Sequence, residues 1–470
     1  MNFNSIAFLF FFPIVCLVYY LLPKLEYRKW FLLLASFYFY INWKPEFGLL
    51  LLSCIIVSYV GSLLIAHHGG NCKLYLVVTI LLNIFCLIFF KYSSFLIANI
   101  NSLFEVTGFR IQITGWKILL PVGISFFIFK DISYIVDVYK GKIEAEKNFV
   151  VFALYVSFFP QILAGPIDRA TNLIPQLKRY QLFDGRNVSQ GLKLILWGYF
   201  LKVVFANRAI IYVDAVYGNI EHHNGTTILL AAILYSFQIY CDFAGYSLIS
   251  IGCAKALGYN VPDNFSRPYF AASITDFWRR WHISLTRWLT DYIYIPLGGN
   301  RCSKLKNYYN ILITFFVSGI WHGAAWNFVI WGCIHGIFQV VEKAMGFAKI
   351  NNVQMGIRVI RIIITFLLVT FAWIFFRLDS FHEALYCITK IFTSAGKPFM
   401  SGDATSALEY CLLGLFIVLF KDFLDEFMPN KFILMNNKNI VVRYVSYICL
   451  SLFILAAGVF DDSQFIYFQF

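Results

Sequence analysis

A chain of 470 residues with 60% hydrophobic, 20% aromatic and only 13% charged side chains lies outside the range of soluble domains, which carry about 25% charge and about 45–50% apolar residues. Its net charge of +13, from 38 basic and 25 acidic residues, would suit a nucleic-acid binder if the cations formed a patch. They fall mostly in loops between apolar runs, where Lys and Arg set membrane topology, so no nucleic-acid partner is expected. The 11 cysteines are scattered without a Cys-x-x-Cys pair, which argues against a disulfide scaffold or a zinc site.

Apolar runs occupy 5–22, 30–43, 47–66, 74–97, 119–138, 149–163, 192–206, 227–240 and 246–257, then 308–321, 328–341, 360–376, 410–420 and 444–460. A helix needs ~20 residues to cross a ~30 Å hydrocarbon core. The shorter runs therefore read as re-entrant or half-helices packed within protein. The expected fold is an all-α polytopic membrane protein of roughly eleven to thirteen transmembrane and re-entrant helices in the lipid bilayer. No internal repeat or Pro-rich linker divides it, so 1–470 reads as a single membrane-embedded domain.

The first run follows Met1-Asn2-Phe3-Asn4, with no basic side chain and no small-residue cleavage site, and reads as a retained span. Three basic clusters follow: Lys24, Arg28 and Lys29; Lys140, Lys142 and Lys147; Lys178, Arg179 and Arg186. The positive-inside rule puts these in the cytoplasm and the N-terminus outside.

Residues 264–306 break the apolar pattern. Arg267, Arg279, Arg280, Arg287, Arg301, Lys304 and Lys306 are interleaved with Trp278, Trp281, Trp288, Tyr292 and Tyr294. Trp278, Trp281, Leu285 and Trp288 recur at helical spacing, which predicts an amphipathic helix lying at the interface with its aromatic side toward lipid. On composition alone a plain surface anchor is the simpler reading.

The stretch from Asn307 to Val341 contains no Asp, Glu, Lys or Arg, yet it holds His322, Cys333 and His335. Ionisable groups at membrane depth are expensive and default to a functional reading. His322 sits in Ser318-Gly319-Ile320-Trp321-His322-Gly323-Ala324-Ala325-Trp326-Asn327. Gly319, Gly323 and Ala324 form a small-residue face for close approach, and Trp321 and Trp326 are placed to wall a cavity. A neutral imidazole there suits general-base work on a hydroxyl; a histidine bonded to a neighbouring helix fits the residue as well.

His335 reads as a packing residue, and the pairs His67-His68 and His222-His223 as solvated loops. His282 precedes His322 by 40 residues (322−282) and faces either the cytoplasm or the interior. Asp242, between two apolar runs, either lines an aqueous cavity, orienting a histidine, or is a loop acid near the surface. The chain has no Gly-Lys-Ser phosphate loop, no Gly-x-Ser-x-Gly elbow and no His-Glu-x-x-His, so nucleotide hydrolysis, serine hydrolase chemistry and zinc proteolysis lack their signatures. A transporter stays open, since buried ionisable groups also serve proton relays.

Taken together these residues resemble the membrane-bound O-acyltransferases, in particular the bacterial branch of alginate and peptidoglycan O-acetyltransferases. The resemblance rests on Pro121-Val122-Gly123-Ile124-Ser125-Phe126-Phe127, on Gln161 to Pro166, and on Asp242-Phe243-Ala244-Gly245-Tyr246-Ser247. It continues through Pro262, Arg267-Pro268-Tyr269 and Asp276-Phe277-Trp278-Arg279-Arg280-Trp281-His282-Ile283-Ser284-Leu285 to Pro296-Leu297-Gly298-Gly299-Asn300. The Ser318–Asn327 segment and the ending Phe465-Ile466-Tyr467-Phe468-Gln469-Phe470 complete it. One departure is Leu248, which follows Ser247 where this branch often has an acid and leaves Asp242 as the acid of that segment.

The resemblance implies a ring of tilted helices around a central funnel or tunnel, with His322 as the catalytic histidine and His282 as a second functional residue. Asp242, Trp321, Trp326, Asn327, Trp281, Arg279 and Arg280 would support substrate binding, with Arg279, Arg280 and Arg287 offered to donor phosphates. It further implies a cytoplasmic acyl thioester donor, acetyl-CoA foremost, with no permanently bound cofactor and no metal. The acceptor would be a cell-envelope or secreted polysaccharide, reached through an extracytoplasmic esterase-like partner at the bacterial cytoplasmic membrane. D-alanyl transfer toward teichoic acid and non-enzymatic polysaccharide or lipid transport are the competing expectations.

Overall fold

The computed structural model describes residues 1–67, 71–109, 111–115, 118–347, 354–400, 402–429 and 435–460; His68 and the 465–470 ending lie outside them. Every regular element among the described residues is helical. Six helices are long and apolar enough to cross a bilayer: Pro45–His67, Cys72–Thr107, Gly185–Tyr217, Gly225–Ala256, Met355–Arg377 and Ile440–Ala457. Ile6–Leu21 is apolar but shorter. Lys304–His322 and Trp326–Ala344 are not among the six, because Asn307, Asn310, Ser318, Asn327, His335 and Gln339 interrupt their apolar faces.

The chain groups into two compact units, residues 1–191 with 250–262 and residues 192–249 with 263–470. In the first unit the Pro121-Val122-Gly123 motif starts the Ile124–Tyr139 helix. Gly123 sits at φ +75, and a Cβ there would collide with the carbonyl of Ile162, so both the backbone angle and the close approach require glycine. Arg28, read above for topology, is only 3% exposed. Its guanidinium donates to the carbonyls of Leu22 (2.8 Å) and Gln181 (2.5 Å) and lies over the Tyr180 ring, 3.9 Å from its centroid.

In the second unit Lys304–His322 and Trp326–Ala344 form a tight helical hairpin. A Cβ on Gly319 would stand 2.5 Å from the Phe328 carbonyl oxygen, and one on Gly332 would strike the carbonyl of Phe315. Glycine at both positions lets the two backbones touch, the small-residue packing expected around His322.

Polar side chains of this unit gather at two levels. Around the start of Met355–Arg377, Glu426 accepts from Arg267 (2.9 Å), Arg280 (2.9 Å) and Arg358 (2.7 Å). Burial raises the Glu426 carboxyl, but the Arg280 and Arg267 hydrogen bonds outweigh it and hold the group below the ordinary glutamate range. Around the end of the same helix Arg377 pairs with Asp214 at 2.7 Å. Nearby, Lys390 Nζ donates to the carbonyls of Ile220 (3.1 Å), Glu221 (2.7 Å) and His223 (3.1 Å). Arg358 and Arg377 are 19 residues apart (377−358) on one helix, about 28 Å at 1.5 Å per residue.

Candidate functional site

The segment 264–306 departs from the single surface helix its spacing predicts. It forms two short helices, Ile274–Arg280 and Ile283–Leu289, which break at Trp281-His282, and a π-helical turn, Thr290–Tyr294. His282 takes φ +40, a left-handed conformation that costs a non-glycine residue about 1–2 kcal/mol. Asn264 holds the break: its carbonyl accepts from Ile283 N at 2.9 Å and its side-chain oxygen from Ser284 Oγ at 2.6 Å. The tryptophans turn inward. Trp278 is 5%, Trp281 0% and Trp288 4% exposed, and Trp281 stacks on Phe277 and meets Trp373 at 5.1 Å between ring centroids. The aromatic face that mimics a lipid-facing stripe is thus buried against protein.

His322 is the last residue of its helix and 2% exposed. Its ring is enclosed by Trp331 (centroids 4.8 Å apart, planes at 89°), Trp321 (4.9 Å) and Phe376 (5.4 Å). His282, 0% exposed, packs edge-on against Phe243 at 4.6 Å and against Trp321 at 5.8 Å. Trp321 therefore bridges the two histidines, which the sequence separates by 40 residues (322−282). His335 is a packing residue as expected, accepting from Trp278 Nε1 at 3.3 Å within a cluster of aromatic rings.

Asp242 is not a surface loop acid. It lies inside the Gly225–Ala256 helix and pairs with Lys202 at 2.5 Å, with the two side chains 5% and 2% exposed. Lys202 belongs to a π-helical stretch, Phe200–Ala206. Its signal in the sequence was a cation deep inside the apolar run 192–206, well past Lys193 at the start of that run, which the same depth argument marks as functional or paired.

Asn327 is anchored by its amide donating to the Leu378 carbonyl at 2.7 Å. Trp326, expected to wall a cavity beside Trp321, is instead 60% exposed while Trp321 is 3% exposed. Arg280 is committed to Glu426 and to Asp276 (3.0 Å), so it is not an open phosphate ligand, whereas Arg279 and Arg287 are exposed.

A pocket of about 450 Å³ lies beside the histidine shell, at the Arg377 level. Its walls include Gln238, Ala324, Asn327, Phe328 and Phe376, with Asp214, Arg377 and Asp379 supplying charge. Phe376 is shared between this pocket and the ring shell of His322. Gln238, Arg377 and Lys202 were not singled out from the sequence.

A buried imidazole, His322, thus ends one arm of a pinned helical hairpin next to a polar pocket, and the sequence comparisons name the class of the protein. Residues 143–381 match the membrane-bound O-acyltransferase family, and the chain belongs to that family of acyltransferases. It is 38% identical over 388 residues to a probable alginate O-acetylase AlgI of Pseudomonas syringae pv. tomato, covering 82% of this chain and 74% of that one. It is 35% identical over 416 residues to a peptidoglycan O-acetyltransferase of Helicobacter pylori, covering 82% and 78%. A teichoic acid D-alanyltransferase of Bacillus subtilis is more distant, 27% identical over 275 residues, covering 56% and 70%.

Proposed function

We propose that this acyltransferase moves an acetyl group from cytoplasmic acetyl-CoA to a hydroxyl on the far side of the bacterial cytoplasmic membrane, for modification of an envelope or secreted polysaccharide. The observation that carries this reading is His322, a buried imidazole at the end of a helix that begins with Lys304 and Lys306. Lys343 closes the return helix, and Arg358 and Arg361 open the next one. The positive-inside rule assigns all of these to the cytoplasm, which puts His322 and the Arg377 level toward the exterior.

In the proposed reaction His322 takes the proton of the acceptor hydroxyl as its oxygen attacks the thioester carbon. The tetrahedral intermediate then expels the CoA thiolate, which recovers that proton from the imidazolium, and the ester leaves with the acceptor. His282 positions the site through Trp321. Arg279 and Arg287 offer guanidinium forks to donor phosphates. An extracytoplasmic esterase-like partner carries the acetyl group onward. The relatives named as alginate and peptidoglycan O-acetylating proteins support acetyl over D-alanyl transfer, since they match over more of this chain.

Proteoliposomes loaded with labelled acetyl-CoA on one face test the proposal. Label should pass to acceptor supplied on the opposite face. Transfer from a D-alanyl carrier-protein thioester, with none from acetyl-CoA, would overturn the acetyl reading.

A further inference from the structure

We infer that a groove between the helices Gly402–Phe427 and Ile440–Ala457 binds one anionic phospholipid of the cytoplasmic leaflet, with its phosphate at a basic mouth and an acyl chain along the apolar wall. The groove lies within the second unit and shares no lining residue with the pocket beside His322. Both helices pack on the Phe200–Ala206 stretch, and a cavity of about 1080 Å³ separates them. Ile440–Ala457 is pinned at its far end, where Ile454 and Ala457 are buried and Arg208 donates to the Ala457 carbonyl at 2.7 Å. From Ile440 to Phe453 that helix has no buried side chain. The walls present open surface: Leu413 is 48%, Phe420 49% and Val445 51% exposed, and Cys449 is exposed beside them.

The dimensions are those of one leaflet. Leu413 and Asp425 lie 12 residues apart (425−413) on one helix, about 18 Å at 1.5 Å per residue. Half of a ~30 Å hydrocarbon core is about 15 Å. The groove changes character along this length. Leu413, Ile417, Leu450 and Phe453 line its inner part, while Arg267, Lys421, Asp425 and Asn436 line its mouth. The mouth adjoins the Glu426 clasp that contains Arg358, the level the positive-inside rule assigns to the cytoplasm.

Charge selects the headgroup. Lys193 stands at the mouth, donating to Asn436 Oδ1 at 2.7 Å, and its other partner is the Tyr447 ring; neither carries charge. Lys193, Arg267 and Lys421 against Asp425 leave a surplus of two positive charges (+3 − 1). Glu426 accepts from Arg267, but Arg280 and Arg358 share the same carboxylate, so the surplus stands. A phosphodiester with no cation of its own complements such a mouth, whereas a zwitterionic headgroup brings an ammonium into it.

Native mass spectrometry tests this on the full-length protein, released from nanodiscs of equal phosphatidylglycerol and phosphatidylcholine. One phosphatidylglycerol should stay bound and phosphatidylcholine should not. Lys193→Gln with Lys421→Gln brings the mouth to zero (+1 − 1) and should cut retention about thirtyfold. Cys449→Trp, at an exposed position of the wall, should fill the groove and displace the lipid with every cation still in place. Equal retention of the two lipids, or retention unchanged in both variants, overturns the inference. Displacement of the lipid by added coenzyme A would make the groove part of the donor path and overturns it. A lipid-free dimer as the main species would put a second copy there and overturns it too.

Discussion

The ring of His282 stands edge-on to that of Trp321, with centroids 5.8 Å apart, and the neighbouring His322 ring lies 4.9 Å beyond on the same indole. Two helix breaks, at Trp281-His282 and after His322, meet on this one side chain. His282 holds its place with φ +40, and glycine adopts that backbone without the steric cost. His282→Gly and His282→Ala should both weaken acyl transfer. The glycine variant should be the more stable by about 1 kcal/mol, read as a higher melting temperature in detergent. Equal or reversed stabilities would show that the backbone there is not strained, and an unchanged rate in both would return His282 to a packing role.

The Lys202–Asp242 pair is buried on both sides, so each partner depends on the other. Lys202→Met or Asp242→Leu alone leaves one buried charge uncompensated and should destabilise by about 3–5 kcal/mol. The double variant Lys202→Met with Asp242→Leu should recover much of that loss, measured as membrane-inserted yield and thermal midpoint. Additive losses in the double variant would contradict the pairing.

Gly319 has no room for a methyl group against the Phe328 carbonyl, at 2.5 Å from the position a Cβ would take. Gly319→Ala should push the hairpin apart and shift His322, lowering kcat more than it lowers expression. Gly356, with nothing within 4 Å of such a Cβ, is the control, and Gly356→Ala should be neutral or slightly stabilising. Similar behaviour of the two variants would refute the pinned hairpin.

The Glu426 clasp has a defined pH dependence. Its carboxyl lies below the ordinary glutamate value of 4.5 because hydrogen bonds from Arg280 and Arg267 outweigh burial. A depressed folded-state pKa contributes stability above the unfolded value and loses it as pH falls through the folded value. Thermal stability should therefore drop on acidification below about pH 4.5 in the wild type and respond less in Glu426→Gln. An equal acid response in both would remove Glu426 as a source of it.

Buried ionisable groups are conspicuous in a chain with 13% charged residues. His322 stood out by its charge-free surroundings, and Gly319 as part of a small-residue face with Gly323 and Ala324. The aromatic segment was harder. Trp278, Trp281, Leu285 and Trp288 have helical spacing, but spacing does not distinguish a face turned to lipid from one turned to protein. Nor does a histidine advertise a left-handed backbone as a glycine would, so the break at His282 was hidden. Trp326 was misread for a similar reason: composition gives no direction. Lys202 was visible as a cation in an apolar run, but its link to Asp242 joins two helices and appears only in three dimensions.

The central claim is that His322 is the base that accepts the hydroxyl proton. The direct measurement is acetyl transfer by His322→Ala in proteoliposomes, normalised to inserted protein. The account predicts normal insertion and a rate lower by about 10²–10⁴-fold. Transfer within a few-fold of wild type would contradict it.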